Sequence, residues 1–230
     1  MMTYLGNITL WLSFCFAIFQ LINSRKENNY SVFKYNRIAV NGLLACSLIS
    51  FFSLMYSHVV SDFSIVNVFN NSHTTIPLLY KISGVWGNHE GSMLLWILVL
   101  TTYNYFIFKL YNQKNFNFIS KTLETQALIT AGFIFFTILT SNPFKKMLSV
   151  ESDGLGFNPI LQDPAMAIHP PLLYIGYVGF SAAFSLSIAT LRLKNPEKIP
   201  WHSYMKPFVM IAWSFLTIEL PLVLCGLTTS

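Results

Sequence analysis

Pro171-Leu172-Leu173-Tyr174-Ile175-Gly176-Tyr177-Val178-Gly179-Phe180-Ser181-Ala182-Ala183-Phe184-Ser185-Leu186-Ser187-Ile188-Ala189-Thr190-Leu191 holds no formally charged side chain and is followed at once by Arg192 and Lys194. An apolar run of about 20 residues is what an α-helix needs to cross the hydrocarbon core of a bilayer. Within it Gly176, Gly179, Ala183 and Ser187 recur at helical offsets and make one narrow face of small side chains. Such a face lets a second helix approach closely in a membrane. Five more stretches share this character, residues 5–22, 38–56, 91–108, 125–142 and 208–227, and only the last carries a formal charge, Glu219. A charge at mid-membrane costs about 2.5 to 3.5 kcal/mol on insertion scales. Glu219 must therefore be neutral, paired, beside a polar cavity, or brought to the interface by a helix break at Pro221.

Composition agrees. The 230 residues are 53% hydrophobic, 16% aromatic and only 10% charged, with a mean hydropathy of +0.52. Soluble domains carry about 25% charged residues, so a water-soluble globule is excluded, and disorder with it. The net charge of +5 comes from basic residues scattered without a run, so nothing tracks nucleic-acid phosphates and no nucleic-acid partner is expected. Cys15, Cys46 and Cys225 sit inside apolar runs, with no CxxC, no CxxCH and no cluster of zinc spacing. They are read as small apolar fillers, and the chain has no covalent haem attachment site of its own.

Charge also orients the spans. Eleven of the 14 Lys and Arg fall in the first, third and fifth connections, including Arg25, Lys34, Lys114, Lys121, Arg192 and Lys198; Lys81, Lys145 and Lys146 fall in the second and fourth. The positive-inside rule puts both termini and the second and fourth connections on the outer side. Those two connections are the long ones, about 34 and 28 residues. Loops beyond about 12 to 15 residues are usually functional when ordered. No basic residue precedes the first span and Arg25 and Lys26 follow it, the reverse of a signal peptide, so that span is expected to be retained.

The second connection closes with Trp86-Gly87-Asn88-His89-Glu90-Gly91-Ser92 against the third span. This reads as a helix start: Ser92 can cap, and Glu90 lies where the helix dipole favours an anion. It leaves His89, between Trp86 and Trp96, without a structural task, although tryptophans gather at bilayer edges in any case. The fourth connection ends Asn158-Pro159-Ile160-Leu161-Gln162-Asp163-Pro164-Ala165-Met166-Ala167-Ile168-His169-Pro170-Pro171. Proline suits the first helical position, so the spacing puts His169 at or just before the start of the fifth span. There the dipole favours a neutral imidazole, the form a metal binds. Spacing alone leaves an interfacial polar residue and a metal ligand both open.

These two strings, with Trp213-Ser214-Phe215-Leu216-Thr217, resemble the N-terminal part of the CcmF family, the large membrane subunit of the cytochrome c haem lyase of the Ccm maturation system. The resemblance runs from about residue 61 to 217 and looks like a split, CcmFN-like form. It implies an all-α, polytopic membrane helix bundle of about six transmembrane helices with two long outer-face loops, one membrane domain over residues 1–230 that ends before the family's Trp-rich haem segment. It implies haem as cofactor, His169 as an axial ligand of its iron, and Trp86, His89 and Glu90 as an outer platform for haem or a partner. The site would be completed by C-terminal CcmF-like chains carrying the Trp-rich segment, working with CcmH-like and CcmE-like proteins on apocytochrome c. The family's Trp-rich string and second outer histidine are not found in this sequence, so the chain alone is expected to be an incomplete lyase. A non-catalytic membrane scaffold or a haem or solute transporter subunit is the alternative. Abundant Phe, Ile, Asn and Tyr and the split form point to a mitochondrial inner membrane with both termini in the intermembrane space, a bacterial inner membrane being the alternative.

Overall fold

The computed structural model describes residues 2–26, 30–110, 115–149, 151–195, 197 and 199–229, and the side chains of residues 30, 160, 166 and 222–229 lie outside the described set. Lys114, Lys198 and the thiol of Cys225 accordingly fall outside the described residues. The chain folds into α1 (Met2–Ser24), α2 (Tyr30–Val59), α3 (Val66–Asn71), α4 (Leu78–Ser83), α5 (His89–Lys109), α6 (Phe116–Thr140), α7 (Pro164–Leu191) and α8 (Trp201–Thr229). Among the described residues five of these, α1, α2, α5, α6 and α7, are long and apolar enough to cross a membrane. The sequence suggested about six. The sixth long helix, α8, is 29 residues but is not one of those five. It continues through Pro221, so no break carries Glu219 away from the bundle.

Helices α5 and α6 form the middle of the bundle. Helix α1 packs on α2 and α6, α5 on α2, α6 and α7, and α8 chiefly on α7. Leu94, Ile97, Leu100 and Ile107 of α5 are buried, while Tyr4, Ile8 and Trp11 of α1 are exposed, as apolar side chains facing lipid should be. Since lipid is as apolar as leucine, polar contacts and close packing must hold such helices together. Gln20 of α1 and Asn104 of α5 exchange two hydrogen bonds, at 2.9 and 2.8 Å, and Gln20 also donates to the Leu123 carbonyl of α6. Gln126 of α6 meets Ser181 and Ser185 of α7 at 3.1 and 2.8 Å.

The small-residue face on α7 seats α8. A methyl group at Gly176 would lie 2.6 Å from Leu216 Cγ, and one at Gly179 would lie 2.9 Å from Ala212 Cβ. With Ser187 against Met205, these pairs run in opposite directions along the two helices, so α7 and α8 are antiparallel. At the lysine-rich end, Glu124 of α6 is clamped by Arg25, Nε at 3.0 Å, and by Arg192, Nη2 at 2.7 Å.

At the opposite, lysine-poor end the two long connections are one layer rather than two free loops. Val66 N–H donates to the Lys145 carbonyl and Met147 N–H to that of Ser64, around an isolated antiparallel bridge between Ile65 and Lys146. Leu155 N–H donates to Phe69 O, and Asp153 accepts from Thr74 through its N–H and hydroxyl, with His73 Nε2 3.2 Å away. The Thr74 hydroxyl, ahead of the other contacts, holds the Asp153 carboxyl below the usual carboxylate range. Asn142 Nδ2 donates to Asn7 at 3.2 Å, which brings the start of α1 to this same end.

Candidate functional site

Helix α7 starts earlier than the prolines at 170 and 171 suggest. Asp163 caps it, its Oδ1 accepting from Ala165 N–H at 2.9 Å, and Pro164 takes the first helical position. His169 therefore lies in the second turn of the helix, not at its N-terminus, and Pro170 and Pro171 are inside it. Proline has no N–H, so Pro171 deprives the Ala167 carbonyl of its donor four residues on. The Trp86 indole supplies it: Nε1–H donates to Ala167 O at 2.8 Å. Trp86 also stacks on Phe51, with ring centroids 6.5 Å apart. The indole thus joins the two sequence strings and fixes the turn that carries His169.

Because Ala167 is buried, replacing Trp86 with phenylalanine should leave its carbonyl without a partner, a loss of about 1 to 3 kcal/mol. Thermal unfolding in detergent measures it. In a Pro171→Ala background the restored N–H should remove most of that loss; an equal loss in both backgrounds would refute this account of the bond.

His169 and Glu219 meet across α7 and α8. Nδ1 is 2.6 Å from Glu219 Oε1, with side-chain exposures of 20% and 11%. The oxygen comes at ion-pair distance but off the hydrogen-bonding direction, since Nδ1 is sealed from solvent without an aligned hydrogen bond. Among the described residues, Nε2 has no protein partner. Of the outcomes open to an acid in an apolar run, Glu219 thus takes that of a partner, the His169 ring.

The remaining residues of the first string are occupied structurally. Asn88, not Ser92, is the cap of α5: its Oδ1 accepts from Gly91 N–H at 2.9 Å, while its Nδ2 donates to Gly84 O at 2.7 Å. Asn67 donates to Asn88 at 2.6 Å and bonds the fully buried His58 ring at 2.9 Å, a chain of contacts with no linear signal beyond the asparagines themselves. His89 shares a 2.8 Å hydrogen bond with Ser141, the residue that ends α6. Ser92 Oγ donates back to the His89 carbonyl. Glu90 lies in the first turn of α5, half-buried. Trp86 reaches the His169 turn; no contact between His169 and either His89 or Glu90 is found among the described residues.

Among the described residues no three His, Cys, Asp or Glu side chains are grouped to hold a metal ion. Haem asks for less: one accessible imidazole nitrogen, with an anion or acceptor close to the other. His169 meets that requirement, with Nδ1 at the Glu219 carboxylate and Nε2 unengaged.

Residues 86–222 match the family described as Cytochrome C assembly protein. The chain is 45% identical over 183 residues to the cytochrome c-type biogenesis protein CycK of Rhizobium meliloti, covering 78% of the chain and 27% of that protein. It is 39% identical over 227 residues to the cytochrome c-type biogenesis protein CcmF of Haemophilus influenzae, covering 96% and 35%. It therefore spans about a third of the length of such relatives. The solved structure of Cytochrome c Heme Lyase CcmF shares the fold, with a TM-score of 0.77 at 24% identity over 95% of this chain and 35% of that one. These relatives are bacterial, which overturns the mitochondrial inner membrane expected from composition and favours a bacterial inner membrane. Abundant Phe, Ile, Asn and Tyr reflects AT-rich codons in any genome and does not identify a compartment.

Proposed function

Because this chain belongs to the cytochrome c assembly protein family, we propose that it is a haem-handling membrane scaffold in cytochrome c-type biogenesis. The observation that carries the proposal is the His169 turn, held by Trp86 from one outer connection and presented by a helix that starts in the other. His169 offers Nε2 as an axial ligand at the lysine-poor end, which the positive-inside rule puts outside. Trp86 supplies the donor that Pro171 cannot give to the ligand-bearing turn. His89 ties α5 to the end of α6, and Glu90 beside it contributes to the outer surface against which a partner would rest.

When bound, haem supplies the vinyl carbons to which apocytochrome thiols add. The part of this chain is to hold and orient, because the side chains of its two outer strings are spent on capping, packing and presentation. Bond formation in a haem lyase would then draw on further polypeptide: C-terminal CcmF-like chains with the Trp-rich segment, together with CcmE-like and CcmH-like proteins and the apocytochrome.

The test is His169→Ala in the assembled protein purified through a tag on this chain. Haem content should fall about tenfold or more, return on addition of free imidazole, and take cytochrome c maturation with it. Unchanged haem spectra and normal cytochrome c levels would reject the role of His169.

A further inference from the structure

We infer that Glu219 is a positioning residue for His169, holding a carboxylate against Nδ1 of the imidazole so that Nε2 is left as the electron donor; this rests on the reading of His169 as a haem ligand. Three observations on α7 and α8 carry it. First, Glu219 is the one formally charged residue in the last apolar run. Second, its Oε1 lies 2.6 Å from His169 Nδ1, at ion-pair distance though off the N–H direction, and both side chains are largely buried. No other ionic or hydrogen-bond partner of Glu219 is found among the described residues.

Third, the register between the two helices is fixed independently of the pair. Gly176 admits Leu216 and Gly179 admits Ala212, so α8 rests directly on the backbone of α7 two turns below His169. Tyr103 of α5 holds the same stretch of α7 by donating to the Ile175 carbonyl at 2.8 Å. The carboxylate is therefore delivered to the ring by a rigid seat, not by a flexible loop.

The chemistry follows from having an anion at one nitrogen of an imidazole. The carboxylate favours the tautomer with the proton on Nδ1, which leaves the lone pair on Nε2. Its negative charge beside the ring also makes Nε2 the stronger donor to a ferric iron. Partners of this kind on a metal-ligating histidine change metal affinity about 10- to 100-fold when removed. A stronger axial donor stabilises the ferric state, so it lowers the reduction potential of the bound haem.

The experiment compares Glu219→Gln, Glu219→Ala and His169→Ala, with haemin as the probe, in the protein purified with its accompanying chains. Glutamine keeps the shape and an oxygen but not the charge, so it remains informative should alanine fail to fold. The expected result for Glu219→Gln is haemin affinity weakened about 10- to 100-fold, a reduction potential higher than wild type, and a weaker iron–histidine stretch in the ferrous state by resonance Raman. A purely structural tie between α7 and α8 would shift the thermal midpoint and leave potential and stretch alone. Wild-type affinity, potential and stretch in both Glu219 variants, while His169→Ala loses haem, would overturn the role of Glu219 and leave that of His169 standing. Retention of haem by His169→Ala would overturn both.

Discussion

Replacing Gly91 with alanine is expected to destabilise the protein by about 3 to 5 kcal/mol, at the upper end of what single substitutions do. Gly91 is in the first turn of α5, and an added methyl group would run into the Val85 carbonyl oxygen, with the Val85 carbonyl carbon at 2.8 Å and Asn88 Oδ1 at 3.3 Å. The first two obstacles are backbone, so no rotamer change relieves them. The turn must open instead, and it is the turn in which Asn88 caps α5 and grips the Gly84 carbonyl. Opening it also displaces Trp86, five residues back, from Ala167. Thermal unfolding in detergent together with Trp86 fluorescence measures both consequences. A variant that melts with the wild type would show that the turn yields easily and that the Trp86 string is not the rigid clip described above.

The clamp at Glu124 gives the second large effect, and its sign is set by an asymmetry of burial. The Glu124 side chain is only 10% exposed, whereas those of Arg25 and Arg192 are 61% and 41% exposed. Removing both arginines strands a carboxylate in the bundle, which costs about 3 to 5 kcal/mol when a buried charge loses its partners. Removing the acid strands two guanidiniums that already reach solvent, so Glu124→Gln should cost only about 1 kcal/mol. Adding Glu124→Gln to the double arginine variant should then restore stability. Unfolding midpoints of the three variants decide the matter. If Glu124→Gln proves as damaging as the double arginine change, the ranking by burial is wrong.

The helices were legible in the sequence because a bilayer imposes length and apolarity directly on composition. That is why runs such as residues 91–108 and 171–191 fall inside α5 and α7. Their ends were less legible. Pro170 and Pro171 read as a helix start, but Asp163-Pro164 provides a cap and a first-turn proline together, and Trp86 replaces the donor that Pro171 lacks. The donor that does so is 81 residues away in sequence, so no local rule could supply it. Glu219 was similar: an acid in an apolar run had to be neutral, paired, beside a polar cavity or at the interface, and nothing in the linear sequence said that His169 would meet it. Glu124 escaped notice because the apolar run appeared to begin at Thr125, one residue too late to raise the question of a buried acid. The capping role of Asn88 was hidden behind Ser92, which has the right chemistry but lies past the first turn, where its hydroxyl can only return to the His89 carbonyl.

The paired carboxamides of Gln20 and Asn104 impose an order on biosynthesis. Gln20 belongs to the first helix to be made, and the matching asparagine is synthesised 84 residues later. An unsatisfied amide in hydrocarbon is costly. The amide of the first helix can therefore meet its partner only once α5 is in the membrane.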